Sequence, residues 1–219
     1  MKVTTVFHDP HFFSIRQRLI EQFDPSKGDT LLVGIGEVGH ILRDLKVEFP
    51  DHPGRLILYN LDRLVPYPED SHNSYEVVNI PQDAPQSNDL DFFRTLVRGA
   101  RAYYLRTVMH SFSPSDYDTI LRHIKKAMQP GYSILLLDTV AIPESNANWM
   151  ITSADRVSHA VFNGIELTDQ RFTYGIRQAG FNLLGSHRSE HGWTTMYECE
   201  LSQVKVESQP EVKVESQSE

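Results

Sequence analysis

The chain has one cysteine in 219 residues, Cys199. A disulfide scaffold and a cysteine metal cluster are thereby excluded, and a lone thiol suits a reducing compartment. Long apolar runs are missing too. None approaches the ~20 residues a membrane-spanning helix needs, and the N-terminal MKVTTVFHDPHFF lacks the uninterrupted apolar stretch of a signal peptide. Positive charge is scarce: 21 Lys and Arg stand against 29 Asp and Glu, a net charge of −8. With no basic run and no basic-aromatic alternation, nucleic acid is disfavoured as a partner. The 10 histidines show no metal-ligand spacing, and His8-x-x-His11 reads as surface. These absences point to a soluble cytoplasmic protein with neither a membrane nor a nucleic-acid partner.

What is present is enough apolar material, 40% of residues with 10% aromatic, to fill the core of one α/β domain. Phe12, Ile15, Leu19, Ile20 and Phe23 fall at helical spacing over 11–24. Leu31-Leu32-Val33 predicts a strand that runs into Gly34-Ile35-Gly36-Glu37-Val38-Gly39. Helical spacing resumes at Ile41, Leu42 and Leu45, and Leu56–Tyr59 predicts a second buried strand, completing a βαβ unit. Further strands are predicted near Tyr75–Val78, at Ala102–Leu105 and at Ile134–Leu137. Ser113-Pro114, with Asp116 in place to complete an acidic capping box, starts a helix that Pro130-Gly131 ends. Helices over 150–163 and 168–179 precede strands near 181–187 and 193–200, and the short link between those two permits an antiparallel hairpin. The domain reading is a helical segment over 1–28, an α/β domain over 29–201 and a disordered tail over 202–219. The tail repeats Val-Lys-Val-Glu-Ser-Gln, too short a unit to bury a core.

Gly34-x-Gly36-x-x-Gly39 fits a loop that brings backbone close to a nucleotide-type ligand, and it also fits a tight structural turn. For NAD the ribose carboxylate is missing, because Asn60 ends the second strand, and no Tyr-x-x-x-Lys pair offers itself.

The segment Val97-Arg98-Gly99-Ala100-Arg101-Ala102-Tyr103-Tyr104-Leu105-Arg106-Thr107-Val108-Met109-His110 resembles the strand and loop of plant and fungal small-molecule, SAM-dependent O-methyltransferases that carry the catalytic histidine. Ala127-Met128-Gln129-Pro130-Gly131, the strand ending at Asp138, Gly164-Ile165-Glu166-Leu167-Thr168 and Ala179-Gly180-Phe181 continue the match in order. The resemblance covers about residues 28–200, the catalytic half of such enzymes without their N-terminal dimerisation domain. It implies a Rossmann-like class I methyltransferase fold, a mainly parallel sheet with a terminal antiparallel hairpin. The family pattern Asp-x-Gly-Gly-Gly-x-Gly is here Val33-Gly34-Ile35-Gly36-Glu37-Val38-Gly39. The acid that ends strand two in the family is Asn60, with Asp62 two residues on, and the usual Asp-Trp after the histidine is Ser111-Phe112.

The resemblance assigns S-adenosylmethionine (SAM) to Gly34, Gly36, Gly39, Asn60, Asp91 and Phe92. It assigns catalysis to His110, with Asp138 and Glu166 as carboxylate partners. By spacing to Pro143 the first partner falls on Thr139, and Asp138, one residue earlier, is taken instead. A hydroxyl is a poor nucleophile until a base within about 3 Å takes its proton, and a histidine of ordinary pKa ~6.5 can do so at neutral pH. The implied activity is O-methylation of a small-molecule hydroxyl in secondary metabolism, with a partner chain standing in for the dimerisation domain. The alternative is a pseudo-methyltransferase of the same fold, either pericyclase- or lyase-like or a non-catalytic partner.

Overall fold

The computed structural model describes Phe7, residues 13–36, 38–61, 75–79, 89–109 and 112–140, Ile142, and residues 149–162, 167–188 and 194–202. The repeat-bearing tail from 203 onward lies outside them. Seven strands are β1 (Thr30–Gly36), β2 (Arg55–Asn60), β3 (Glu76–Asn79), β4 (Ala102–Arg106), β5 (Ile134–Val140), β6 (Phe181–Arg188) and β7 (Thr194–Leu201). They form one sheet in the order β3-β2-β1-β4-β5-β7-β6. The first five run parallel, and β7 pairs antiparallel with both β5 and β6. This is the mainly parallel sheet with a terminal hairpin that the sequence predicts.

Helices cover both faces. On one, α1 (Gly39–Glu48) buries Ile41, Leu42 and Leu45 beside Phe13, Ile15 and Leu19 of the N-terminal segment. On the other, α2 (Asp89–Phe92), α3 (Pro114–Ala127) and α5 (Asp169–Gln178) close over Val33, Tyr103, Leu105, Leu135 and Leu137. A further helix, α4 (Trp149–Phe162), leaves Trp149 and Val157 exposed. Being covered on both sides makes β5 buried at every position, whereas the edge strand β6 alternates. Ser113 is the N-cap of α3 with Pro114 following. Its hydroxyl donates to the Asp116 carboxylate (2.7 Å) and takes no backbone N–H, so the box forms through side chains. Among the described residues no helix is long and apolar enough to cross a membrane.

The helix expected over 11–24 is shorter and wider than its spacing suggests, a π turn at Arg16–Ile20. Arg101, at the start of β4, explains where it stops. Its guanidinium donates to the Arg18 carbonyl from Nε (3.0 Å) and Nη2 (2.7 Å), to Gln22 Oε1 (2.6 Å), and to the Tyr132 carbonyl. The Arg18 carbonyl is thus spent on a side chain from across the domain and unavailable to a further helical turn. Arg101 is itself buried, so removing it strands several acceptors at once. Arg101→Ala is expected to cost about 2–4 kcal/mol. Arg101→Lys should recover only part of that, since an ammonium cannot span three acceptors as a planar fork does. Urea denaturation checks this. An unchanged midpoint in Arg101→Ala would show that the N-terminal segment is held by its apolar contacts alone.

Candidate functional site at the carboxyl edge of the sheet

Parallel sheets bind ligands outside the carboxyl ends of their strands, and the sequence-predicted residues that are described gather there. Gly34, Gly36 and Gly39 do different work. A Cβ on Gly34 would sit 2.5 Å from Val38 Cγ2 and 3.3 Å from Leu42, so this glycine lets α1 lie close on β1. Gly36 has φ +90°, and a Cβ there would meet Val108 Cγ2 at 2.6 Å and the Arg106 carbonyl at 2.7 Å. Here the glycine turns the chain out of β1 against the exit of β4. Gly39 opens α1, whose N-cap residue Val38 provides no side-chain cap.

Asn60 ends β2, buried, and donates from Nδ2 to Oδ1 of Asn79 (2.9 Å), its register partner on β3. Phe92 packs against Tyr59 with ring centroids 5.3 Å apart. Tyr59 also donates to the Thr95 carbonyl (2.8 Å) and accepts from Val97 N–H (3.1 Å), so the segment carrying Asp91 and Phe92 is pinned beside the end of β2. Asp91 itself is exposed and paired with Arg94 at 3.0 Å.

His110 and Glu166 lie outside the described residues, as do Glu37 and Asp62. Their chain neighbours converge: Met109 and Leu167 both line an apolar cleft of about 150 Å³ with Tyr117, Leu121, Leu137 and Phe172. Leu167 is fixed because its carbonyl accepts from Ile142 N–H, and Thr168 caps α5 by accepting from Arg171 N–H. Trp149, at the start of α4, is exposed. A larger polar cleft of about 490 Å³ around Arg18, Tyr132 and Glu198 lies at the amino ends of β4 and β5. That is the wrong edge for ligand binding in such a sheet.

Asp138 is buried on the opposite face of the sheet from Leu137 and the cleft. Its carboxylate accepts from Tyr104 Oη (2.8 Å), and its Oδ2 lies 3.5 Å from Arg106 Nε. Desolvation raises its pKa, against the hydrogen bonds from Tyr104 and Thr194 and the charge of Arg106. Burial likewise carries the Tyr104 hydroxyl well above its usual value, so it stays a donor. Asn79, Arg106 and Tyr104 were not singled out from sequence. Asn79 carries a readable signal, a polar residue closing a short apolar strand.

The sequence profile of the O-methyltransferase domain matches residues 11–182. The chain belongs to the O-methyltransferase family. It is 30% identical over 175 residues to the methyltransferase cfoC of Aspergillus candidus, covering 78% of this chain and 41% of that protein. It is 29% identical to the O-methyltransferase mpaG of Penicillium roqueforti, covering 89% and 47%. With demethylsterigmatocystin 6-O-methyltransferase stcP of Emericella nidulans it shares 28% over 78% of each. The domain therefore spans under half the length of the first two. Among solved structures, LepI in complex with SAM superposes with a TM-score of 0.68 at 23% identity, over 87% of this chain and 47% of LepI. OxaC gives 0.69 at 20%, over 87% and 46%. The fold of this O-methyltransferase domain is the Rossmann-like class I methyltransferase fold.

The two strand-one glycines make opposite predictions. Gly34→Ala meets a side chain, so Val38→Ala should restore most of the lost stability. Gly36→Ala meets backbone at a positive φ, and should cost about 2–4 kcal/mol with little recovery in Gly36→Ala/Val108→Ala. Thermal melts of the four variants decide. Equal rescue at both positions would remove the distinction.

Proposed function

We propose that this domain transfers a methyl group from SAM to a hydroxyl of a small secondary metabolite. One observation carries the reading: the Gly36 turn, the Asn60–Asn79 pair and the cleft between Met109 and Leu167 gather at one edge of the sheet. Fungal relatives named as O-methyltransferases support it. The described residues fit the cofactor. The buried amide of Asn60 would hold the ribose hydroxyls, Asp91 and Phe92 would take the adenine, and the Gly36 turn with the start of α1 would take the amino-acid end.

SAM supplies a methyl group on a positively charged sulfur that leaves neutral. The domain has to hold the acceptor hydroxyl in line with that methyl and to remove its proton. With SAM bound, the acceptor oxygen would take the methyl carbon while the electron pair of the broken carbon–sulfur bond stayed on sulfur, so the domain need protonate no leaving group. The hydroxyl proton passes to His110, and Glu166 orients the imidazole and stabilises its charged form. A segment or partner chain beyond the described residues completes the acceptor site, and exposed Trp149 and Val157 on α4 support that. The buried, unpaired thiol of Cys199 supports a cytoplasmic setting.

A second reading keeps the fold without methyl transfer, and Asn60 at the position of an acid favours it. One similar solved structure, at 23% identity, is described as a pericyclic reaction enzyme.

Calorimetry with SAM should give micromolar or weaker binding. Asn60→Asp should tighten it about tenfold, because a charged acceptor contributes about 1.5–3 kcal/mol against about 0.5–1.5 for a neutral one. No heat at millimolar SAM in either protein would overturn methyl transfer.

Turnover with labelled SAM and a panel of phenolic acceptors tests the base. His110→Ala should lose about 10²–10⁴ in rate with SAM affinity unchanged, and part of the rate should return as pH rises toward the phenol's pKa near 10. Undiminished methylation would remove His110 from the mechanism. Absence of methyl product from every variant, alongside normal SAM binding, would favour the second reading.

A further inference from the structure

The carboxyl ends of three neighbouring strands meet in one register row, with Gly36 of β1 opposite Arg106 of β4 and Arg106 opposite Asp138 of β5. Arg106 and Asp138 point to the α1 face, like Tyr104 and Leu136 one pleat below them. Three connections radiate from this row. The Asp138 carboxylate, 1% exposed, accepts from Tyr104 and faces the Arg106 guanidinium. The same guanidinium reaches His40 Nε2 with Nη1 (3.1 Å), in the first turn of α1 just past the glycine loop. A guanidinium has donors only, so His40 Nε2 accepts. The Asp138 carbonyl takes Thr107 N–H (2.8 Å), where a β-branched residue sits at φ +50°. That conformation is costly for threonine and persists only where its surroundings impose it. It lies three residues before His110.

We propose that Asp138 is a positioning residue acting through Arg106: it holds the guanidinium against His40 and so keeps the glycine loop and the exit of β4 in one fixed relation. The chemistry favours this over a bond from Asp138 to the catalytic histidine. The carboxylate is turned from the cleft lined by Met109 and Leu167, and it is already engaged by Tyr104 and Arg106. A buried carboxylate needs such partners, and a guanidinium loses its fixed direction when its counter-charge goes. The functional part of the proposal rests on SAM being the cofactor.

The test uses the full chain with S-adenosylhomocysteine as the calorimetric probe. Asp138→Asn, which keeps size and removes charge, should weaken binding about tenfold or more. Tyr104→Phe removes a different bond to the same carboxylate, leaving those from Thr194 and Arg106, and should lower the melting temperature while changing affinity less than about twofold. Arg106→Gln should reproduce the loss. In the Arg106→Gln background, Asp138→Asn should add less than about twofold, because the two act in series. Additive losses overturn the proposal, as does a Tyr104→Phe defect equal to that of Asp138→Asn. A second readout is independent of the ligand: the His40 ring resonances should move in Asp138→Asn and stay in place in Tyr104→Phe. If wild type binds no S-adenosylhomocysteine, the cofactor reading fails and the His40 resonances alone judge the positioning role. If Asp138→Asn does not fold, Arg106→Gln and Arg106→Lys carry the test, and unchanged affinity and His40 resonances in both overturn it. In turnover, a histidine partner would shift the acid limb of the pH–rate profile on Asp138→Asn, whereas a positioning residue leaves that limb in place.

Discussion

The backbone of Gly36 lies against the carbonyl of Arg106 and the side chain of Val108, with no room for even a methyl group. This contact joins the two central parallel strands where both leave the sheet. The glycine loop and α1 follow from one strand, and the segment leading to His110 follows from the other. The closeness needs a residue without Cβ at φ +90°. It also places the Arg106 guanidinium within reach of both Asp138 and His40. The Gly36 turn and the exit of β4 thereby meet at one corner, and an error at one would be transmitted to the other within a single strand spacing.

The two ends of the sheet divide the labour. At the amino edge, Arg101 clamps the N-terminal segment, Tyr132 Oη accepts from Asp24 N–H, and the ion pair of Arg18 with Glu198 adds to the seam. These contacts are polar, satisfied and buried or half-buried, and they do the work of stability. At the carboxyl edge, among the described residues, Thr107 carries strain, and the row from Tyr104 through Asp138 to Arg106 extends on to His40. Buried polar networks fix geometry at a cost in desolvation. The domain places that cost at the carboxyl edge, the edge at which such sheets bind ligands.

Most of the architecture was legible from the residues. Strand and helix periods, the Ser113-Pro114 start and the glycine punctuation located every strand of the sheet within a few positions, because local propensity and tertiary burial agree there. The exceptions share a physical cause. The π turn at Arg16–Ile20 depends on Arg101, more than eighty positions away, and no local pattern announces it. The glycine motif looks like one device in sequence, yet Gly34 serves helix packing and Gly36 serves a left-handed turn. At Asp138 the difficulty is parity. Ile134–Val140 is buried on both faces, so the run has no alternation from which to tell that Asp138 faces α1 while Leu137 faces the cleft. Hydrophobic pattern reports burial, and only the register with β4 reports direction.

Asn60 is one place where the domain departs from the family pattern, and the pairing with Asn79 shows how that departure is accommodated. A lone carboxylate at that buried position would need a donor or a cation, and a lone amide would need both a donor and an acceptor. By giving an N–H to Asn79, Asn60 ties its amide to the neighbouring strand end. The pair spans two register-matched strand ends, so the orientation is set by the sheet itself. A neutral acceptor held in a fixed direction binds a diol more weakly than a charged one, yet it loses less on desolvation when the site is empty. In the ribose-binding role proposed for it, Asn60 would exchange affinity for a site that needs no counter-charge.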